Sequence, residues 1–268
     1  MCMRLLILPR MVIIEVGFNM INHSLDKIMD QGTQSICARL AGTGLMKSFY
    51  LAGGTGLALQ LGHRRSLDLD FFQKGEKEKI PFQKINNEIK LSFGEKDAKL
   101  ELRQTDQAVW EIQGVKVTFL AYPFPLVGPL VDGSSLAPGL KGIFLAAPRE
   151  IALMKAYTIG RRATFRDYVD LFFLLKKGLV TLEEIICLAA EKFTIGGERV
   201  FSARLFLEQL VYTKDIEDKE IAVNLILKEQ VSSGEVEDFL KAQVRRFLQQ
   251  ETNSTPSRPP EFPGGVRR

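Results

Sequence analysis

Asp68 and Asp70, two residues apart, are the first side chains in this sequence whose spacing suggests chemistry. On an extended strand, residues i and i+2 leave the same face with Cα atoms roughly 6.6 Å apart. Two carboxylates so placed can share one hard cation, or clamp two metal ions about 3.5–4 Å apart. Upstream stand Gly53, Gly54 and Thr55. Paired glycines let a bulky anion approach the backbone, because no Cβ intervenes. A helix that starts there aims its unpaired N–H groups and positive dipole end at the same gap, which suits a phosphate. Between the glycines and the acids lies His63-Arg64-Arg65. His63 reads as a helix-end side chain capping carbonyls. Arg64 and Arg65 read either as surface charges or as contacts to a triphosphate or its acceptor.

These residues need a strand, a helix and a second strand to hold them. The apolar run Phe49 to Ala52 suits a buried strand, and Thr55 to about His63 suits the helix. Leu67 to Phe72 alternates and then runs apolar, which predicts a core strand carrying both acids. Other phosphate-binding patterns are excluded. Gly54-Thr-Gly56 lacks the third glycine of a dinucleotide fingerprint, and no Gly-Lys-Ser/Thr follows it.

A second polar cluster lies downstream. The stretch from Thr164 to Leu175 is a helix apolar almost all round, yet it carries Asp167 and Asp170 three apart on one face. Buried carboxylates need partners, and Lys155, Arg161, Arg162 and Arg166 are the local candidates. Spacing leaves two roles open: an ion-pair network pinning helices together, or part of an active site.

The rest of the chain bounds the answer. Its 268 residues, 46% apolar and 25% charged, are ordinary for a globular protein, and the net charge of +4 permits but does not demand nucleic-acid binding. The scattered cysteines, Cys2, Cys37 and Cys187, have no metal-ligand spacing and fit a reducing, cytoplasmic setting. Residues 1–22 are read as an N-terminal extension with Met20 an alternative start. Their apolar runs are too short for a membrane span, and no signal-peptide pattern is present. Residues 23–125 are expected to form an α+β domain, a small mixed sheet with helices on one side. It begins with a helix from Ser24 to about Leu40. Further strands are expected at Lys99 to Arg103, Val109 to Gln113 and Val115 to Leu120, the last two joined by a turn at Gly114. Residues 126–147, rich in Pro and Gly, read as a connector, and 148–250 as an all-helical domain. Its helices include Glu198 to Val211 and Lys219 to Glu229, and a Thr181/Glu184 capping box opens another. Residues 251–268 read as a disordered tail.

The glycine pair, the helix and the Asp-x-Asp strand, in that order, resemble the active-site entry of the polymerase-β-like nucleotidyltransferases. The fuller string, from Tyr50-Leu-Ala-Gly-Gly-Thr through Leu-Gly-His-Arg-Arg-Ser-Leu-Asp-Leu-Asp-Phe-Phe, is similar to the AbiEii branch of type IV toxin–antitoxin and abortive-infection systems. Lys155 and the run Arg166-Asp167-Tyr168-Val169-Asp170 match that branch's second motif, a lysine followed by a basic–Asp-x-x-Asp helix. The resemblance implies transfer of a nucleoside monophosphate from an NTP, with Asp68 and Asp70 holding Mg²⁺ or Mn²⁺. Gly53, Gly54, Thr55 and Arg65 would contact the triphosphate, and Lys155 with Asp167 or Asp170 would complete the catalytic set. It also implies an RNA acceptor, especially a tRNA 3′ end, growth inhibition as the outcome, and an antitoxin encoded nearby that need not touch the toxin. One departure stands out. The wider superfamily places a third carboxylate on a later strand, and the matching strand here, Val115 to Leu120, carries Thr118. Two rival functions therefore stay open: a nucleotide- or RNA-binding module with reduced catalysis, and a phosphotransferase using the same acids.

Overall fold

The computed structural model describes residues 25–254 apart from 160 and 163. The expected extension at 1–22, with Cys2, and the tail beyond 254 lie outside the described residues. The first expected helix is divided. A short α1 (Leu25–Ile28) precedes α2 (Gln31–Ala41), because Asp30 caps α2 by accepting a bond from the Thr33 N–H at 2.7 Å.

β1 (Phe49–Leu51) leads into α3 (Gly53–Leu61), and β2 (Leu69–Gln73) returns antiparallel to β1. α4 (Phe82–Phe93) comes next, then β3 (Ala98–Arg103), β4 (Gln107–Ile112) and β5 (Val115–Leu120). Gln113 and Gly114 both have positive φ, 50° and 81°, which is the backbone a tight hairpin between β4 and β5 requires. The stretch expected as a connector with short elements also completes the sheet. It supplies β6 (Val131–Asp132) and β7 (Phe144–Leu145), and Leu145 pairs in parallel with Leu51. The seven strands run in the order β3-β4-β5-β2-β1-β7-β6, a mixed sheet with β2 parallel to β5.

Strand alternation divides the sheet's faces. Phe49, Leu51, Leu69, Phe71, Val117 and Phe119 enter one core with α2 and α4. Tyr50 and Ala52 enter the other, with Phe72 packed against it, among the downstream helices. Helices therefore cover both faces, not one, since the helical half closes over the face that carries Asp70.

The helical half comprises α5 (Pro148–Thr158), α6 (Phe165–Lys176), α7 (Leu182–Lys192), α8 (Ala203–Val211), α9 (Lys219–Val223) and α10 (Ser233–Ser254). The Thr181/Glu184 capping box is formed at α7. Two expected helices are shorter than their apolar pattern suggests. Gly196 and Gly197, both at positive φ, turn a small hairpin of β8 (Thr194–Ile195) and β9 (Glu198–Arg199), so α8 starts only after Ser202. α9 stops at Val223 because the chain beyond it extends to pair with the segment after α3. Leu227 N–H donates to His63 O at 2.9 Å, and Arg65 N–H donates to Leu225 O at 2.8 Å. Among the described residues, no helix is long and apolar enough to cross a membrane.

Candidate active site

α3 begins directly after β1, with Ala52 at its N-cap and no side chain capping it, so its first N–H groups stay open to a ligand. Gly53 takes φ +62°, a conformation L side chains rarely adopt, and a Cβ there would lie 2.7 Å from Asp70 Oδ2. Gly54 has a different reason to lack a side chain. Its Cβ would collide with the guanidinium of Arg64, so the close approach is to this chain's own side chain. Thr55 is buried, and its hydroxyl contacts Ser66 Oγ at 2.7 Å and the Asp68 carbonyl. It fastens the helix to the entry of β2 and lines no part of the pocket.

Asp68 immediately precedes β2 and is half-exposed, while Asp70 is on the strand, opposite Thr118 of β5. Burial pushes the Asp70 carboxyl above its usual range and the Asp68 charge adds to that, against a bond from the Thr118 hydroxyl and the charges of Lys155 and Arg162. Thr118 thus sits beside Asp70 on the neighbouring strand and offers a hydroxyl where the resemblance implied a third carboxylate. Among the described residues no cluster of three or more acidic, histidine or cysteine side chains forms a metal site.

Arg64 and Arg65 have opposite fates. Arg65 is exposed, while Arg64 is 2% exposed and grips Asp170, Nε to Oδ1 at 2.6 Å and Nη2 to Oδ2 at 2.9 Å. His63, expected to cap carbonyls, is buried and bonds Asp170 Oδ1 through Nε2 at 2.8 Å. Lys155, on α5, places Nζ 2.6 Å from both Asp167 Oδ1 and Asp170 Oδ2. Arg162 completes the network with Nε and Nη2 on Asp167 at 2.8 and 2.9 Å. Burial alone would raise both α6 carboxyls. The charges of Arg64 and Lys155 and their bonds hold Asp170 well below the usual range, and Lys155 and Arg162 hold Asp167 below it. Burial lowers the His63 pKa despite Asp170, which favours the neutral ring.

One pocket brings these elements together. Gly54, Arg64, Asp68, Asp70, Lys155 and Asp167 line it, with Arg162 and Arg166 at its side. Gly53 touches it only through Asp70, while Asp170 lies behind the lining and Arg65 outside it. The sequence reading named Arg162 only as a partner for the α6 acids, and Arg166 as that and as the basic residue of the second motif. It assigned Arg65, not Arg64, to the triphosphate, whereas the pocket is lined by Arg64 and not by Arg65. The signal separating the arginines was the extended 225–227 segment, which fixes their alternation and is invisible in a helical pattern.

The electrostatics single out one acid pair. Asp167 and Asp170 are tightly neutralised. Asp70 has no ion-pair partner among the described residues, and Asp68 has only Arg166 Nη1 at 3.7 Å. This hard-oxygen pair, under-neutralised and facing cations, fits a divalent metal whose other ligands are phosphate and water.

The family description "Nucleotidyl transferase AbiEii toxin, Type IV TA system" matches residues 36–265, covering both the sheet and the helical half. The chain belongs to the AbiEii family. It is therefore a nucleotidyltransferase of the toxin–antitoxin type. An uncharacterized protein of Aquifex aeolicus (strain VF5) is 30% identical over 213 residues, spanning 79% of this chain and 93% of that one. Among solved structures, a candidate nucleotidyltransferase from H. pylori is similar at TM-score 0.49 and 16% identity, covering 84% of this AbiEii chain and 95% of its own. MenT4, a nucleotidyltransferase toxin from Mycobacterium tuberculosis H37Rv, gives TM-score 0.43 at 15% identity, covering 82% and 97%.

Proposed function

We propose that this AbiEii chain transfers a nucleoside monophosphate from an NTP to an RNA acceptor, a tRNA 3′ end, releasing pyrophosphate and arresting growth until an antitoxin encoded nearby counters it. The carrying observation is the under-neutralised Asp68/Asp70 pair facing Arg64, Lys155, Arg162 and Arg166 across one pocket. A bound Mg²⁺ or Mn²⁺ would supply polarisation of the α-phosphate and a lower pKa for the attacking hydroxyl. The chain's own groups do the rest. The open N–H groups of α3 and the Arg162 and Arg166 guanidinium groups, each about half exposed, bind the phosphates. Lys155, pinned between Asp167 and Asp170, serves as a fixed positive charge instead of a mobile arm. Asp167 orients Lys155 and Arg162 together, and Asp170 does the same for Lys155 and Arg64.

The test incubates the full chain with RNA, a divalent metal and NTP labelled at either the α- or the γ-phosphate. The expected result is α-label on RNA, lost with chelator. Transfer of the γ-label would instead identify a phosphotransferase, and transfer of neither would refute the reading. A second reading, a nucleotide-binding module with reduced catalysis, is favoured by Thr118 opposite Asp70. Tight NTP binding without metal-dependent turnover would select it.

A further inference from the structure

Beside the pocket holding Asp68 and Asp70 lies a second cavity of about 340 Å³ on the helical side. Arg162 lines both. One edge of its guanidinium is committed to Asp167, yet its side chain stays 55% exposed, so a flat cationic face remains open. Tyr212, just past α8, presents a ring 51% exposed, with its hydroxyl donating to Asp215 Oδ2 at 2.9 Å. Gln209 is held from behind, its backbone carbonyl accepting from the buried Tyr168 hydroxyl at 2.9 Å. Its side-chain amide has no partner among the described residues, and Ile216 adds an apolar floor.

A flat ring, a flat cation, a free amide and a carboxylate form a specific set. Aromatic and guanidinium faces stack on planar heteroaromatic rings. An amide and a carboxylate read the donor and acceptor edge of such a ring, with the carboxylate accepting from an exocyclic amine. Arg162 on the shared wall lets one ligand put phosphates on the acid side and a ring on this side. We propose that this cavity is a nucleobase subsite, with Tyr212 and Arg162 as stacking faces and Gln209 and Asp215 reading the base edge. The assignment rests on the nucleotidyl-transfer reading. The base belongs either to the NTP or to the acceptor's terminal nucleotide, and binding experiments separate the two.

The full chain would be titrated with a non-hydrolysable NTP analogue, with inorganic tripolyphosphate and with RNA, as wild type, Tyr212→Ala, Tyr212→Phe and Gln209→Ala. Loss of one stacking face should weaken the base-bearing ligand about tenfold, and Tyr212→Phe should restore most of it. Loss confined to the NTP analogue assigns the base to the NTP, and loss confined to RNA assigns it to the acceptor. Tripolyphosphate, which has no base, should bind all variants alike. Unchanged binding of both base-bearing ligands, or an equal loss for tripolyphosphate, would overturn the subsite. Wild-type protein binding neither NTP analogue nor tripolyphosphate would overturn the nucleotidyl-transfer reading, and the subsite with it.

Discussion

Gly54→Ala tests whether this glycine clears space for a ligand or for Arg64. The added Cβ would overlap Arg64 Nη2 and come within 3.1 Å of its Cζ. That guanidinium has little freedom to yield, since Nε and Nη2 hold Asp170 and Nη1 donates to Arg65 O at 2.9 Å. Breaking a buried ion pair costs about 3–5 kcal/mol, and alanine regains at most about 0.5–1 kcal/mol of helix preference over glycine. The expected net loss is about 2–4 kcal/mol, read as a lower denaturant midpoint at neutral pH with unchanged slope. The same substitution in an Arg64→Ala background should cost almost nothing, because its collision partner is gone. Two results would refute the reasoning. One is a full cost persisting without Arg64. The other is a Gly54→Ala protein as stable as wild type that no longer binds tripolyphosphate, which is what a glycine kept only for phosphate clearance would give.

Asp68→Asn removes a half-exposed acid with one long ion pair, so transfer should vanish while the melting temperature stays near wild type; joint loss of both would make Asp68 structural. Lys155→Met strips two buried carboxylates of their shared cation and should cost about 3–5 kcal/mol in urea unfolding, whereas a near-neutral change would show that Arg64 and Arg162 suffice. Gly53→Ala forces a side chain to φ +62° and against Asp70, so about 1–2 kcal/mol of stability should go together with metal affinity, measured by Mn²⁺ titration. Asp170 titrates in the folded state well below the 3.8 of a free carboxyl. Its stabilisation is therefore fully present above that value and is lost as pH falls through the folded pKa. Asp170→Asn should flatten the acid limb of the stability–pH curve, and an unchanged limb would contradict the assignment.

The strand–turn–helix–strand entry was legible because each part has a local cause: alternation for β2, paired glycines at the start of α3, and apolar runs for β1. The Thr181 capping box and the Gly114 hairpin were legible for the same reason. What local pattern could not reveal was pairing at a distance. Phe144 and Leu145 look like loop residues until Leu51 is beside them, and α9 ends early only because the segment near Ile226 is drawn beneath Arg64. The opposite burial of Arg64 and Arg65 follows from that bridge, since neighbours on extended chain face opposite ways. Lys155 shows the same limit. Its match to the lysine motif was visible in the sequence, but its confinement between Asp167 and Asp170 depends on α5 packing against α6.

The bond from Arg64 to Asp170 spans 106 positions of chain, and the one from His63 spans 107. During synthesis, at about 5–20 residues per second, Arg64 therefore leaves the ribosome on the order of five to twenty seconds before its acid does. Throughout that interval the glycine turn, Asp68 and Asp70 are present, yet the wall of Lys155, Arg162 and Arg166 opposite them is not assembled. A nascent chain halted short of α6 carries the recognisable entry motif without Lys155 locked in place or Arg64 drawn inward. The facing halves of this pocket therefore coexist only in a chain extended at least through α6.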